Sequence, residues 1–345
     1  MVKVIYKFAV FAAVNFFLMS SIVLYFNNEF LMFADRCTKD IIPSEELRYL
    51  RQVLNDSIPS KDEPLPTLKL DSLNDISGEP VIPKIIHQTW KTTEVPEGWK
   101  GAQQSCIDLH PDYEYILWTD EMSRNFIADN YPWFLPYFDA YPFNVQRADV
   151  IRYFVLYHYG GNYIDLDDGC RQRLDSLLYY PVWVRRTDPV GVSNDVMGSV
   201  PHHPYFELII QNLEKNAKSY WLPYLTIMLS TGPLSISFLW EKYKRQLPNP
   251  PAFYDHIRVL LERDYKFSND SYFTFYEGSS WHNNDAGIIL WANRHLAYVI
   301  VAGFCLYFIL SYMFFSKLLD SRYVQRFVTS KRKQPTLPLA LQEDV

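Results

Sequence analysis

The spacing of hydrophobic positions changes along the chain, and each change predicts a different kind of element. At the ends the apolar residues are continuous: Phe8–Phe26 runs 19 residues and Leu296–Phe315 runs 20, neither containing a charge. A helix rises about 1.5 Å per residue, so either run is long enough to cross a hydrocarbon layer about 30 Å thick. The first lacks the small-x-small site of a cleaved leader, and the second is apolar all round after Arg294 and His295. Both are expected to be retained transmembrane helices, at 8–26 and 296–315. Between residues 27 and 80 the periodicity lapses among Pro43, Pro59, Pro64 and Pro66, with a short amphipathic helix at Glu45–Leu54. That pattern predicts a stem.

From Val81 to residue 295 short apolar strands alternate with helical spacing, the signature of an α/β domain with a parallel or mixed sheet. Pro83–Trp90 reads as a strand, and Tyr113–Trp118 as a second followed by a helix through about Asn130. Ala148, Ile151 and Val155 give a helix over Val145–His158 that stops at Gly160-Gly161, where a left-handed cap is least costly. Tyr163–Asp167 then reads as a strand ending in carboxylates. Pro204–Lys218 is a predicted amphipathic helix, and Thr231-Gly232-Pro233 a helix start with Pro in its first turn.

Charge adds sidedness. Lys3 and Lys7 precede the first apolar run, and Lys317, Arg322, Arg326, Lys331, Arg332 and Lys333 follow the second. The positive-inside rule therefore puts 1–7 and 316–345 in the cytoplasm and the segment between the spans in the secretory lumen. Two sequons, at Asn55 and Asn269, fall in that luminal segment and are candidate glycosylation sites. Of the four Cys, Cys305 lies in a span, which leaves Cys37, Cys106 and Cys170 for at most one intramolecular disulfide and no zinc-like spacing. With 33 Lys and Arg against 39 Asp and Glu, the net charge of −6 has the wrong sign for a nucleic-acid surface.

Chemistry concentrates in Gly160-Gly161-Asn162-Tyr163-Ile164-Asp165-Leu166-Asp167-Asp168. A bare Asp-x-Asp carries no weight, since chance alone gives about two in a chain with this many Asp. A Gly-Gly turn, a buried strand and acids at its carboxyl end change that, because open α/β sheets bind ligands there. On an extended strand Asp165 and Asp167 share a face and repel unless a hard divalent cation sits between or near them. The competing reading is that these Asp residues cap turns or a following helix. Upstream, Asp149 and Arg152 share a helical face, either as a surface ion pair or as groups that contact sugar hydroxyls and donor oxygens.

Taken with Ile85-Ile86-His87-Gln88-Thr89-Trp90, Arg147-Ala148-Asp149 and Arg152, this set resembles the fungal glycosyltransferases with an Asp-x-Asp sugar-binding motif. Asn194-Asp195-Val196-Met197-Gly198-Ser199, Pro201-His202-His203-Pro204, Thr231-Gly232-Pro233 and Ser280-Trp281-His282 extend the resemblance over about residues 80–290. Within that family, the paired terminal spans look most like the catalytic subunit of the Golgi inositolphosphoceramide mannosyltransferases. The resemblance implies a GT-A-type, Rossmann-like α/β domain at 81–295 between the two transmembrane helices. It further implies GDP-mannose as donor, Mn²⁺ or Mg²⁺, retention of configuration, and an inositolphosphoceramide acceptor in the Golgi membrane.

Carried over by residue, the resemblance makes Asp167 a metal ligand, with His282 or Ser280 completing the shell, and has Asp165 hold the donor ribose or sugar. Asp149 and Arg152 would contact mannose, Trp90 and His87 would lie on the donor side, and Asn194 and Asp195 would face donor or acceptor. Arg152 would also stabilise charge on the leaving diphosphate, and Asp195 is the candidate nucleophile if retention proceeds through a covalent step. A separate membrane-bound regulatory subunit is an implied partner. The rival readings are transfer to protein-linked glycans or another glycolipid, and a non-catalytic sugar-binding or assembly subunit whose acids are structural.

Overall fold

The computed structural model describes residues 11, 15, 40–57, 78–187, 191–219, 222–248, 251–278, 285, 287, 288, 291 and 294–320. The chain divides into two units, Phe33–Ala286 and the two ends, Met1–Met32 with Gly287–Val345.

The larger unit opens with α1 (Ser44–Ser57), β1 (Ile85–Thr89), α2 (Glu97–Leu109), β2 (Glu114–Trp118), α3 (Asp120–Asn130), α4 (Leu135–Ala140) and α5 (Asn144–Tyr159). It continues through β3 (Gly161–Ile164), β4 (Asp168–Cys170), β5 (Val182–Arg186), β6 (Val192–Ser199), α6 (Pro204–Asn216), α7 (Pro223–Ser230), α8 (Pro233–Gln246), β7 (Arg258–Leu260) and β8 (Phe273–Phe275). Six strands form one mixed sheet in the order β2-β1-β3-β6-β5-β7, and β4 pairs with β8 apart from it. β1 runs parallel to β2 and β3; β6 is antiparallel to both β3 and β5.

Alternation along the strands divides the core. Tyr163, Val182, Val184 and Met197 face α5, α6 and α8, while their neighbours Ile164, Trp183 and Val196 join Ile86, Cys106 and α1. Helix α5 ends at Gly160, φ 68°, followed by Gly161, φ 94°. A Cβ on Gly160 would stand 2.7 Å from Pro201 Cδ, and one on Gly161 2.9 Å from Ile85 O, so glycine is required twice over. This tight reversal sends the chain from α5 straight into β3.

Two expectations need correction. The expected stem at 27–80 contains α1, whose Leu47, Leu50 and Leu54 are buried with Ile42, and Ile41 bridges Val259, so residues 41–57 belong to the domain. Burying those four side chains is worth about 6–12 kcal/mol before entropy is counted. The strand expected over Tyr163–Asp167 ends at Ile164; Leu166 and Asp167 form a turn, and Asp165 and Asp167 therefore do not share a strand face. The amide of Asp168 donates to Asp165 O at 3.0 Å, closing that turn. The single disulfide that the sequence allows among Cys37, Cys106 and Cys170 is Cys106–Cys170, tying α2 to β4 directly behind the turn. Closing a loop of 64 residues is worth about 4 kcal/mol in the chain-entropy account.

The second unit holds α9 (Leu296–Asp320), with Phe11 and Asn15 also helical. Phe11 packs edge-on against Phe308 and Tyr312, and Ser311 Oγ donates to Asn15 Oδ1 at 3.3 Å. Among the described residues no helix is long and apolar enough to cross a membrane. The rest of the apolar run at 8–26 lies outside the described residues, as do His282 and Ser280.

Candidate active site

The turn after β3 gathers four carboxylates, Asp165, Asp167, Asp168 and Asp195, the last carried by β6, which pairs with β3. The backbone fixes their meeting: Asp165 N donates to Asp195 O at 2.8 Å, extending the antiparallel β3–β6 ladder past Ile164. Each acid has a different environment, and the differences assign different chemistry.

Asp165 is held from two sides. Tyr163 Oη donates to its Oδ1 at 2.8 Å, and Arg152 Nη1 lies 3.1 Å from the same oxygen. Burial nonetheless pushes its pKa up to about 7 against the pull of Arg152, with Asp167 and Asp195 adding repulsion. Asp195 is the opposite case. Burial pushes it up, but the Arg185 guanidinium outweighs burial and holds the carboxyl below its usual range. Arg185 Nε donates to Oδ1 at 2.8 Å, Arg185 Nη2 bonds Oδ2, Val196 N caps Oδ1 at 2.8 Å, and Tyr265 Oη lies 3.1 Å from Oδ2, its single proton shared with Asp168. Clamped this way, its lone pairs are engaged by donors. Asp168 is buried, accepts from Tyr265 Oη at 2.6 Å, and is raised well above its ordinary value by burial and by Asp195.

Asp167 differs from all three. Among the described residues no side chain donates to its carboxylate, and its pKa is raised by burial and by Asp195 despite its own backbone amide, Arg152 and Lys266. Its backbone is fixed by Tyr276 N, which donates to Asp167 O at 2.9 Å. Gly278 crosses directly over the carboxylate, where a Cβ would fall 1.6 Å from Asp167 Oδ2. A carboxylate without a side-chain donor, in a negative cluster, is the group best suited to a cation.

Asp149 and Arg152, expected to contact sugar, are both 4% exposed. Asn194 Nδ2 and Arg152 Nη2 reach Asp149 Oδ1 at 2.8 and 3.2 Å, and Thr231 Oγ1 donates to Oδ2 at 2.8 Å. Arg152 also donates to Asn194 O at 2.6 Å and stacks over the Tyr163 ring at 4.6 Å. Asp149 and Asn194 thus lock Arg152, which reaches the cluster through Asp165. His87 is fully buried: Nε2 donates to Gly160 O at 2.9 Å, leaving Nδ1 to accept from Trp118 Nε1 at 3.1 Å, and burial lowers its pKa to about 4. It braces β1 against the Gly160 reversal. Trp90, half-buried after β1, meets Trp99 edge-on at 5.0 Å.

Arg185, Tyr265, Lys266 and Gly278 were not anticipated from the sequence. Arg185 and Asp195 are ten residues apart, and reading 182–199 as a hairpin would have faced them; Tyr265 and Gly278 are too distant in sequence for any local pattern to reveal.

A mixed α/β sheet with an Asp-x-Asp turn at the carboxyl end of a buried central strand marks a glycosyltransferase fold. Residues 96–183 match the family described as "Glycosyltransferase sugar-binding region containing DXD motif". The chain is 55% identical over 234 residues to inositol phosphoceramide mannosyltransferase 3 of Schizosaccharomyces pombe, covering 68% of this chain and 65% of that one. It is 53% identical over 232 residues to mannosyl phosphorylinositol ceramide synthase CSH1 of Saccharomyces cerevisiae, 67% of this chain and 61% of that one. To SUR1, the synthase of the same name and organism, it is 44% identical over 299 residues, 86% of this chain and 71% of that one. The chain belongs to the inositol phosphoceramide mannosyltransferase family of DXD glycosyltransferases. It spans less than two thirds of the length of the first two of these relatives.

Proposed function

We propose that this protein is a retaining mannosyltransferase that moves mannose from GDP-mannose to the inositol of an inositolphosphoceramide. The observation that carries the reading is the 55% identity over 234 residues to a protein named an inositol phosphoceramide mannosyltransferase, a stretch long enough to hold the whole carboxylate cluster. The cluster supports it independently, because transfer from a nucleoside diphosphate needs charge stabilisation beside a leaving diphosphate.

The residues fit a divalent ion, Mn²⁺ or Mg²⁺. Among the described residues no group of three or more His, Cys, Asp or Glu side chains is arranged as a cage; Asp167 instead offers one carboxylate without a side-chain donor. That is the donor set of an ion that takes its remaining ligands from substrate phosphates and water. Bound there, with His282 or Ser280 as further ligands, the ion would act as a Lewis acid on the diphosphate. Arg152, held by Asp149 and Asn194, adds positive charge at the same place, and Asp165 presents its second oxygen to the donor. Asp195, saturated by Arg185 and Tyr265, orients and screens the cluster, which favours front-face attack over a covalent step through this group. Trp90 flanks the donor at the mouth of β1.

In this reading the domain is of GT-A type and sits in the Golgi lumen, anchored by helices at both ends with the termini in the cytoplasm. The Cys106–Cys170 disulfide supports an oxidising compartment. Exposed Tyr298, Val301, Leu306 and Phe314 on α9 support a lipid environment for that helix. Asn269, exposed in a turn, suits glycan attachment; Asn55 lies near the end of α1. A membrane-bound regulatory subunit remains part of the proposal. The test is transfer of labelled mannose from GDP-mannose in membranes containing the full chain, offered inositolphosphoceramide or a mannosylated glycan. Labelled sphingolipid is the expected product; label confined to the glycan overturns the acceptor, and no labelled product from either, with the regulatory subunit supplied, favours the non-catalytic reading.

A further inference from the structure

Beside the carboxylate cluster, at the end of β1 and between α3, α4 and α5, lies a cavity of about 240 Å³. It is smaller than the cavities of about 300–1,000 Å³ that enclose whole drug-sized ligands, so it suits one ring system and not a complete sugar nucleotide. Phe138 and Ile151, 2% and 1% exposed, give it an apolar wall on which a flat ring can lie. Its polar groups are unequal. Arg124 and Asp139 are spent on each other in a two-bond pair at 2.9 and 2.8 Å. Arg147 donates to Tyr141 O at 2.6 Å and is bound to Asn144.

Two groups are left over. Ser123 Oγ is buried against the cavity with no hydrogen-bond partner among the described residues, a costly state that a ligand would relieve. The Asp120 carboxylate at the rim receives no side-chain hydrogen bond among the described residues. Helix α5 links this cavity to the cluster: it turns Arg147, Ala148 and Ile151 toward the one and Asp149 and Arg152 toward the other. Thr89, which also lines the cavity, directly precedes Trp90.

We propose that this cavity reads the base of the donor nucleotide and that Asp120 selects guanine by accepting from its adjacent N1–H and N2–H groups. A carboxylate matches that paired donor edge, whereas adenine and cytosine present a ring acceptor there and uracil a single N–H between two carbonyls. Ser123 serves a further polar atom of the ring. The inference rests on the GDP-mannose reading given above.

Equilibrium binding of GDP, IDP, UDP and ADP to the full chain in detergent, followed by tryptophan fluorescence, tests it. IDP lacks the 2-amino group, so wild type is expected to bind it about tenfold more weakly than GDP, and UDP and ADP more weakly still. Asp120→Asn is expected to weaken GDP about tenfold or more and to abolish the preference for GDP over IDP, while Glu121→Gln, exposed on the same helix, keeps it. Tight GDP binding with an unchanged GDP-to-IDP ratio in a folded Asp120→Asn chain overturns the role of Asp120 and leaves the donor reading intact. Wild type that binds UDP or ADP in preference to GDP overturns the donor reading itself. If Asp120→Asn does not fold, equal binding of GDP and IDP by wild type decides against the proposal.

Discussion

Two clusters of charge in this domain are built from the same residue types and differ in their balance. Behind β2, Asp112 and Asp175 face Lys84 and Arg173: Lys84 lies 2.6 Å from Asp112, Arg173 bridges Asp112 and Asp175, and Tyr113 donates to Asp175. Acids and bases match, and the pKa of Asp112 falls, because the bonds from Lys84 and Arg173 overcome its partial burial. At the β3 turn, Asp165, Asp167, Asp168 and Asp195, with Asp149 behind them on α5, meet only Arg152, Arg185 and Lys266 among the described residues. There the pKa values of Asp165, Asp167 and Asp168 rise, chiefly through burial. A balanced network ties the fold together; the unbalanced one leaves excess negative charge that, on the proposed reading, a cation would offset.

The contrast breaks most visibly at Asp167. Asp167→Asn is expected to lower mannose transfer a thousandfold or more, with the melting temperature held or raised because a repelling charge is removed; radiolabel transfer beside thermal unfolding checks both. Arg173→Met should do the reverse, costing about 2–3 kcal/mol of stability by stranding Asp175 while transfer per folded molecule survives. The magnitude is kept modest because the Arg173 side chain is one third exposed, at 33%. A denaturant titration of both variants would expose the account as wrong if their stabilities changed alike.

Acidification sharpens the comparison from another side. Burial lowers His87 and His110 to about 4, and each ring has its neutral form fixed by neighbours: His110 Nδ1 donates to Cys106 O and Nε2 accepts from Leu174 N. Unfolding raises these values to about 6.5, so their contribution is complete above that pH and is lost as pH falls towards 4. The loss is on the order of 3 kcal/mol for each ring, and His110→Gln should flatten the dependence of melting temperature on pH between 7 and 4.5. The smallest effect expected is at Gly278→Ala, whose methyl would displace the Asp167 carboxylate. Transfer should fall about tenfold with little change in melting temperature; unchanged transfer would mean that the carboxylate position is unimportant.

Much of the frame was legible because it is local. The 3.6-residue spacing of Ala148, Ile151 and Val155, the Gly-Gly stop and the amphipathic run from Pro204 gave α5 and α6 nearly to their ends, and Thr231-Gly232-Pro233 gave the start of α8. What escaped the sequence depends on tertiary contact. An amphipathic helix at residues 45–54 does not announce that its leucines will join the core with Leu174 and Leu177, and a four-residue strand does not reveal that it turns before Asp167. The pairing of Arg185 with Asp195, the lack of a side-chain donor to Asp167 among the described residues and the cavity over Ser123 are properties of neighbours brought in from β6, α3, α4 and the segment after β8. Asp149, read as a sugar ligand, has its oxygens on Arg152, Asn194 and Thr231 in this structure, contacts that spacing alone does not reveal.

The central claim is that the unbalanced carboxylates form a site for a divalent cation shared with the donor diphosphate. Calorimetric titration of GDP into the full chain, with and without Mn²⁺, for wild type and Asp167→Asn, tests it most directly. The account predicts that Mn²⁺ tightens GDP binding in wild type and has no such effect in the variant. Equal GDP affinity with and without Mn²⁺ in wild type, or the same tightening in Asp167→Asn, would contradict it.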